Sequence, residues 1–258
     1  MKLGPLRFWR HLGYHRDIIK HLRWTATDEK RKQFYAQLIP PRGLIFDIGA
    51  NMGNRSKIFR ALGSPVVAFE PQSHCAEFLR VAFKEDPLYT LRQTGLSDHQ
   101  GEITMYLSDA HTLSTLDTEW MESMRKGGRF AAQDWSRTET VALDTLDNAI
   151  QEHGLPAFMK IDVEGHEQQV LSGLKQPVAC LSLEFASESE ENIKACIDHL
   201  DSLGEYRYQI SLGESMRFEN EHWVDGAAMK QQLETLREKD PLVWGDIYAR
   251  TLTSPEAP

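Results

Sequence analysis

Short apolar runs separated by amphipathic stretches set the plan of this chain. "LIFDIG" (44–49), "PVVAFEP" (65–71), "FMKIDVEG" (158–165) and "VACLSLEF" (178–185) are nearly unbroken apolar runs bounded by turn formers. Strands buried on both faces of a parallel sheet read this way. Between them, "NRSKIFRALG" (54–63), "SHCAEFLRVAFKE" (73–85) and "HEQQVLSGL" (166–174) carry helical spacing, and further helices are predicted near 188–203 and 226–239. "YTLRQTGLS" (89–97) predicts a third strand, with the alternating "EITMYL" (102–107) pairing beside it. "ALDTLD" (142–147) reads as a helix start with Asp144 as its N-cap. "RYQISL" (207–212) and "DIYARTL" (246–252) are the last strands. Alternation of β and α predicts an α/β fold, a doubly wound, mostly parallel sheet with helices on both faces.

Two stretches depart from this rhythm. Residues 3–38 read as helix, broken near Gly13 and Thr25, and Pro40-Pro41 ends them. The expected division is an N-terminal helical extension, 1–40, and one domain, 41–258. Residues 108–138 hold Trp120, Met121, Met124, Gly127, Gly128, Phe130 and Trp135 without a period. An irregular excursion of that length in a compact domain is usually functional.

Composition narrows the classes. At 258 residues and 41% hydrophobic the chain can bury a sizeable core. Cys75, Cys180 and Cys196 are scattered and odd in number, which fits a reduced, cytoplasmic setting better than a disulfide framework. No apolar run approaches the ~20 residues of a membrane span, and the N-terminus has no signal-peptide core. The net charge of −9 argues against nucleic acid as a partner. The charge is uneven: nine Lys or Arg against three Asp or Glu leave residues 1–32 at +6 and the rest at −15. With Phe8, Trp9, Tyr14 and Trp24 interleaved, such a head either lies on an anionic membrane surface or packs on its own acidic body. The apolar positions spread around the helix, so packing is the favoured expectation over peripheral membrane contact.

The chemistry begins at "IFDIGANMGN" (45–54). A buried strand here runs into a loop broken by Gly49 and Gly53, at the carboxyl edge where open α/β sheets hold ligands. Glycine permits positive φ and close backbone approach. The dinucleotide pattern G-x-G-x-x-G is not met, because Asn51 and Asn54 occupy its second and third glycine positions, and no G-x-x-x-x-G-K-[ST] is present. Glu70 ends the next strand, 23 residues after Asp47. An acidic group there accepts ribose hydroxyls. A ribose-bearing ligand without a close diphosphate points to S-adenosylmethionine, with Asp47 near its cationic or amino end. The histidines show no metal-ligand spacing, so no metal is expected.

"FDIGANMGNRS", "VVAFEPQ", "GLSDHQGEITMY", "VALDTLD" and "MKIDVEGHE", in this order over about 44–185, resemble the FkbM-type methyltransferases. The resemblance implies a class I S-adenosylmethionine-dependent methyltransferase fold, with a seven-stranded sheet whose last strand is antiparallel. It implies methyl transfer, commonly to a hydroxyl of a sugar, glycan or small natural product. It also places Ser97 and Asp98 on the adenine side of the donor, beside the donor-loop set Asp47, Gly49, Asn51, Gly53 and Glu70. At "KIDVEGHE", Asp162 and Glu164 share a strand face and His166 opens the next helix. Transfer to an alcohol has to handle a proton, and His166 has a suitable intrinsic range, with Asp162 or Glu164 orienting it or touching the acceptor. Glu167 reads as helix-end electrostatics. The competing expectations are a donor-binding module without turnover and a nucleotide-dependent dehydrogenase.

Overall fold

The computed structural model describes residues 22–108, 114–116, 118, 122 and 135–252. Most of the 108–138 excursion and the first part of the basic head lie outside the described residues. The first described helix, α1 (Ala26–Tyr35), starts on a capping box: the Thr25 side chain accepts from the Asp28 N–H, and the Asp28 carboxylate accepts from the Thr25 N–H at 2.8 Å. Its Phe34 and Tyr35 are buried against the sheet, so the later part of the head is joined to the core beyond Pro41.

The strands are β1 (Ile45–Ile48), β2 (Val66–Phe69), β3 (Tyr89–Arg92), β4 (Gly95–Ser97), β5 (Gly101–Leu107), β6 (Arg137–Thr145), β7 (Phe158–Ile161), β8 (Cys180–Ala186), β9 (Tyr206–Leu212) and β10 (Trp244–Thr251). The helices after α1 are α2 (Ser56–Ala61), α3 (Ser73–Ala82), α4 (Leu146–His153), α5 (Glu167–Ser172), α6 (Glu190–Leu203) and α7 (Gly226–Lys239). Seven strands form one sheet in the order β3-β2-β1-β7-β8-β10-β9, and β10 runs antiparallel to both of its neighbours. Among the described residues the sheet has the seven strands, with the last one antiparallel, that the resemblance implies.

Three local expectations need correction. The run 89–97 is not one strand. It breaks after Arg92, and β4 joins a separate three-stranded sheet, β4-β6-β5. β5 therefore pairs with β6 and not with β3. Residues 142–145 close β6 instead of opening a helix. Thr145 is the N-cap of α4, accepting from the Asn148 N–H at 3.2 Å, while Asp144 accepts from the Asn148 side-chain amide at 2.8 Å. Two capping-competent residues stood side by side, and the strand's pairing decided between them.

The two faces of the large sheet differ. Phe46, Ile48, Met159, Ile161, Leu181 and Leu183 belong to one apolar cluster with residues of α4, α5 and α6. On the α1 face the strands are apolar only at one end: Ile45, Phe158 and Tyr248 pack with Tyr35 and Phe59. Further along the same face the register aligns Asp47 with Lys160, Lys160 with Ser182, and Glu184 with Asp246. A polar row thus crosses β1, β7, β8 and β10 toward the carboxyl ends of the parallel strands. Among the described residues no helix is long and apolar enough to cross a membrane.

Candidate active site

Asp47, Lys160 and Glu184 of the polar row line a cleft of about 520 Å³, within the size range of small-molecule and cofactor sites. Its first half is built by the loop after β1. Gly49 and Gly53 hold φ of +79° and +78°, and Asn51 holds +50°. A Cβ on Gly49 would sit 1.8 Å from the Asp162 carbonyl oxygen, and one on Gly53 would sit 2.8 Å from Leu79 Cδ2. Both glycines are thus needed first by the protein's own packing, and only Gly49 lines the cleft. The expectation that both clear room for a ligand holds no support at Gly53.

The loop is tied to Glu70. The Asn51 N–H donates to one carboxylate oxygen at 2.6 Å and the Gln72 N–H to the other at 2.8 Å. The Asn51 side-chain oxygen accepts from the Met52 N–H at 2.8 Å, which stabilises the left-handed residue. Glu70 is 2% exposed, and burial pushes its carboxyl up to about 7 against the two backbone donors. Asp47 is equally buried. Ser56 Oγ donates to it at 2.5 Å, and burial raises it to about 6. Both residues line the cleft.

Ser97 and Asp98 do not line this cleft. Thr94, Gly95 and Leu96 do. Ser97 is buried with its Oγ 3.2 Å from His166 Nε2, and Asp98 is exposed and paired with His99.

The second half is the end of β7. Lys160 is 1% exposed and bridges Asp162 at 3.1 Å and Asp246 at 2.8 Å. Beyond Asp162 the chain turns sharply through Glu164 (φ +53°) and Gly165 (φ +96°). Glu167 reaches back to accept from the Val163 and Gly165 N–H groups at 3.2 and 3.3 Å, and Asn192 donates to the Gly165 carbonyl at 2.6 Å. Glu167 therefore supports the turn. His166 lines the cleft, but its Nε2 lies 3.2 Å from Ser97 Oγ.

Asp162 and Glu164 are joined by Glu184 from β8, one carboxylate oxygen of each lying within 4.8 Å of the others. Burial alone would raise Asp162, yet the Lys160 charge 3.1 Å away leaves it below the ordinary carboxylate range. Burial and the neighbouring carboxylates push Glu164 and Glu184 well above it. The far wall holds Arg55 and Arg31, which share Glu214 at 2.8 and 3.1 Å, and the half-exposed indole of Trp244. Sequence reading passed over Lys160, Glu184 and Asp246. The signal was present: each is a charge inside an otherwise apolar strand, "FMKI", "CLSLEFA" and "GDIYA".

The profile of the methyltransferase FkbM domain matches residues 47–210. No curated protein sequence matches the chain. Among solved structures it is similar to a precorrin-6y C5,15-methyltransferase from Geobacter metallireducens (10% identity, 86% of this chain and 87% of that one, TM-score 0.44). It is also similar to an O-methyltransferase from Bacillus cereus in complex with SAH (13%, 97% and 92%, 0.43). An rRNA methylase from Streptococcus thermophilus matches comparably (9%, 86% and 95%, 0.41).

Proposed function

The chain belongs to the FkbM methyltransferase family, and from that premise we propose that it uses S-adenosylmethionine to methylate a hydroxyl oxygen of a sugar, glycan or small natural product. The observation that carries the donor assignment is Glu70. Its buried carboxylate is gripped from behind by two backbone N–H groups and faces the cleft beside Gly49, Asn51 and Asp47. A fixed, dry acceptor of that kind suits a vicinal diol such as a ribose. S-adenosylmethionine supplies a methyl group on a sulfonium cation. Asp47 and Glu70 favour a cationic ligand in this half of the cleft, and the loop's cation, Arg55, is already held by Glu214 at 2.8 Å.

For the acceptor half we assign Asp162 to the hydroxyl. It fronts the cleft, ionised by Lys160, and can receive the hydrogen bond and hold the oxygen in line. Glu164 lies beside it. His166, turned to Ser97, supports the wall from behind and has less claim to the acceptor's proton. Trp244 offers a flat apolar face at the mouth, which suits a ring-shaped acceptor. Three free, buried cysteines are in keeping with a cytoplasmic setting.

Titration calorimetry with S-adenosylmethionine, S-adenosylhomocysteine and NAD tests the donor assignment. Binding of NAD alone overturns it. A labelled-donor screen over hydroxylated small molecules, oligosaccharides and RNA tests the acceptor class. Label appearing in RNA alone overturns the sugar or natural-product reading, and donor binding without any transfer supports a module that has lost turnover.

A further inference from the structure

Three described residues of the 108–138 excursion sit inside the molecule: Ser114 and Thr115 are buried and Leu116 is half-buried. They are tied to β5. The Tyr106 N–H donates to the Thr115 carbonyl at 2.9 Å and the Thr115 N–H to the Tyr106 carbonyl at 3.0 Å. Ser114 Oγ accepts from the Ser108 N–H at 3.1 Å. So held, Ser114 and Leu116 line the cleft with Leu96 and Met105. A Cβ on Gly95 would meet Leu116 Cδ1 at 3.5 Å, so that leucine lies over the glycine of β4. Thr115 reaches the other half of the site. Its hydroxyl donates to the Glu164 carbonyl at 2.7 Å. Glu164 holds a φ of +53°, which a residue with a side chain keeps only when its surroundings fix it. Glu167 of α5 and Asn192 of α6 bind neighbouring groups of the same turn, and Thr115 adds a bond from the excursion.

Strand order says which end of the donor meets this segment. Glu70, Asp47 and Asp162 stand at the ends of β2, β1 and β7, successive neighbours in the sheet. A donor with its ribose on Glu70 and its methyl group toward Asp162 has its adenine beyond Glu70. The next strand there is β3, and the chain leaving it lines the cleft through Thr94, Gly95 and Leu96. Apolar side chains suit the flat face of a base. We propose that residues 114–116 clamp the two halves of the site together. Leu116 closes on the adenine, and Thr115 is a positioning residue that holds the Glu164 turn, and with it Asp162, in register with the donor. Small misplacements of reacting groups are costly in rate, so such a tether acts on turnover without touching the acceptor. The clamp rests on the methyl-transfer reading.

The test takes three variants of the full chain. Thr115→Val removes the hydroxyl at nearly constant volume, Thr115→Ser keeps it, and Leu116→Ala shortens the wall. Hydrogen exchange of the donor-free protein reads the tether. Amides of 163–166 are expected to exchange about tenfold faster in Thr115→Val than in the parent or Thr115→Ser, with 45–54 unchanged. Equal exchange at 163–166 in all three overturns the tether. Calorimetry reads the wall. Leu116→Ala is expected to weaken S-adenosylhomocysteine and methylthioadenosine, which lacks the amino-acid end, by the same factor of about five to ten. Unchanged affinity for both, or a loss confined to S-adenosylhomocysteine, overturns the adenine contact. Turnover on an acceptor found by the labelled-donor screen reads positioning. Thr115→Val is expected to lose about tenfold in kcat with donor Kd within about twofold of the parent, and Thr115→Ser to recover to within about threefold. Parent-like kcat in Thr115→Val, or a serine variant as slow as the valine one, overturns the positioning role. A parent that binds no S-adenosylmethionine sinks the methyl-transfer reading and the clamp with it, whereas donor binding accompanied by any of the overturning results sinks the clamp alone.

Discussion

Single side chains carry the sharpest expectations. Replacing Glu70 with Ala removes the acceptor from a site that is 2% exposed. Donor binding should weaken by roughly 1–3 kcal/mol in calorimetry, with the circular dichroism of the parent. The same carboxyl predicts a pH dependence. Burial raises it from its ordinary 4.5 to about 7 without donor. The folded protein therefore holds more protons than the unfolded chain between those values, and the group's contribution to stability declines as pH rises through that window. Ribose hydroxyls need the ionised form, so donor affinity should fall by up to about tenfold per pH unit below 7, and Glu70→Gln should flatten the profile. A flat profile in the parent would remove Glu70 from the donor site. Asp246 makes a different kind of expectation. It bridges Lys160 at 2.8 Å with both groups almost wholly buried. Asp246→Ala leaves part of a buried charge uncompensated and should cost about 3–5 kcal/mol in urea denaturation. At this scale the sequence marked cleft-lining positions where a charge stood close to the turn that ends an apolar run, as with Asp47, Glu70 and Asp162. It was read poorly where a charge stood alone in an apolar strand, because the partners of Lys160 lie in other strands and only register brings them together.

Elements were legible where period and punctuation agreed. The helix at 226–239 was placed to the residue, because Asp225 caps it and Asp240 ends it. The strand at 89–97 was misplaced, because apolar alternation carries no information about which sheet a segment joins. β4 leaves the main sheet after two residues of turn, and nothing local marks that choice. The loop after β1 gives the strongest test at this scale. Its first glycine combines a φ of +79° with a forbidden contact to the Asp162 carbonyl. Gly49→Ala must push β7 away from β1 at the point where donor and acceptor halves meet. It should destabilise the fold by more than about 2 kcal/mol and abolish donor binding. A stable, donor-binding Gly49→Ala protein would mean that the two strand ends are not locked together as described.

Across the whole molecule, the head and the strand order matter most. The described part of the head is bound to the body through Lys57–Asp28 at 2.9 Å and Arg31–Glu214 at 3.1 Å, and its Phe34 and Tyr35 lie in the core, while Trp24 is exposed. We therefore expect no salt-sensitive binding to anionic vesicles in co-sedimentation. Binding that disappears on deleting residues 1–21 would assign that segment to a membrane. The strand order carries a further consequence. β9 finds its place only through β10, which comes later in the chain and slots between β8 and β9. While the polypeptide emerges from the ribosome, β8 waits with one edge open and β9 has no strand to pair with. The same late strand delivers Asp246, the second anchor of Lys160. The nascent chain can assemble its donor loop early, yet it cannot fix the lysine beneath the acceptor site until β10 has been made. Maturation of the chemistry is thereby tied to completion of synthesis, and a chain stalled before residue 244 is a protein with half a site.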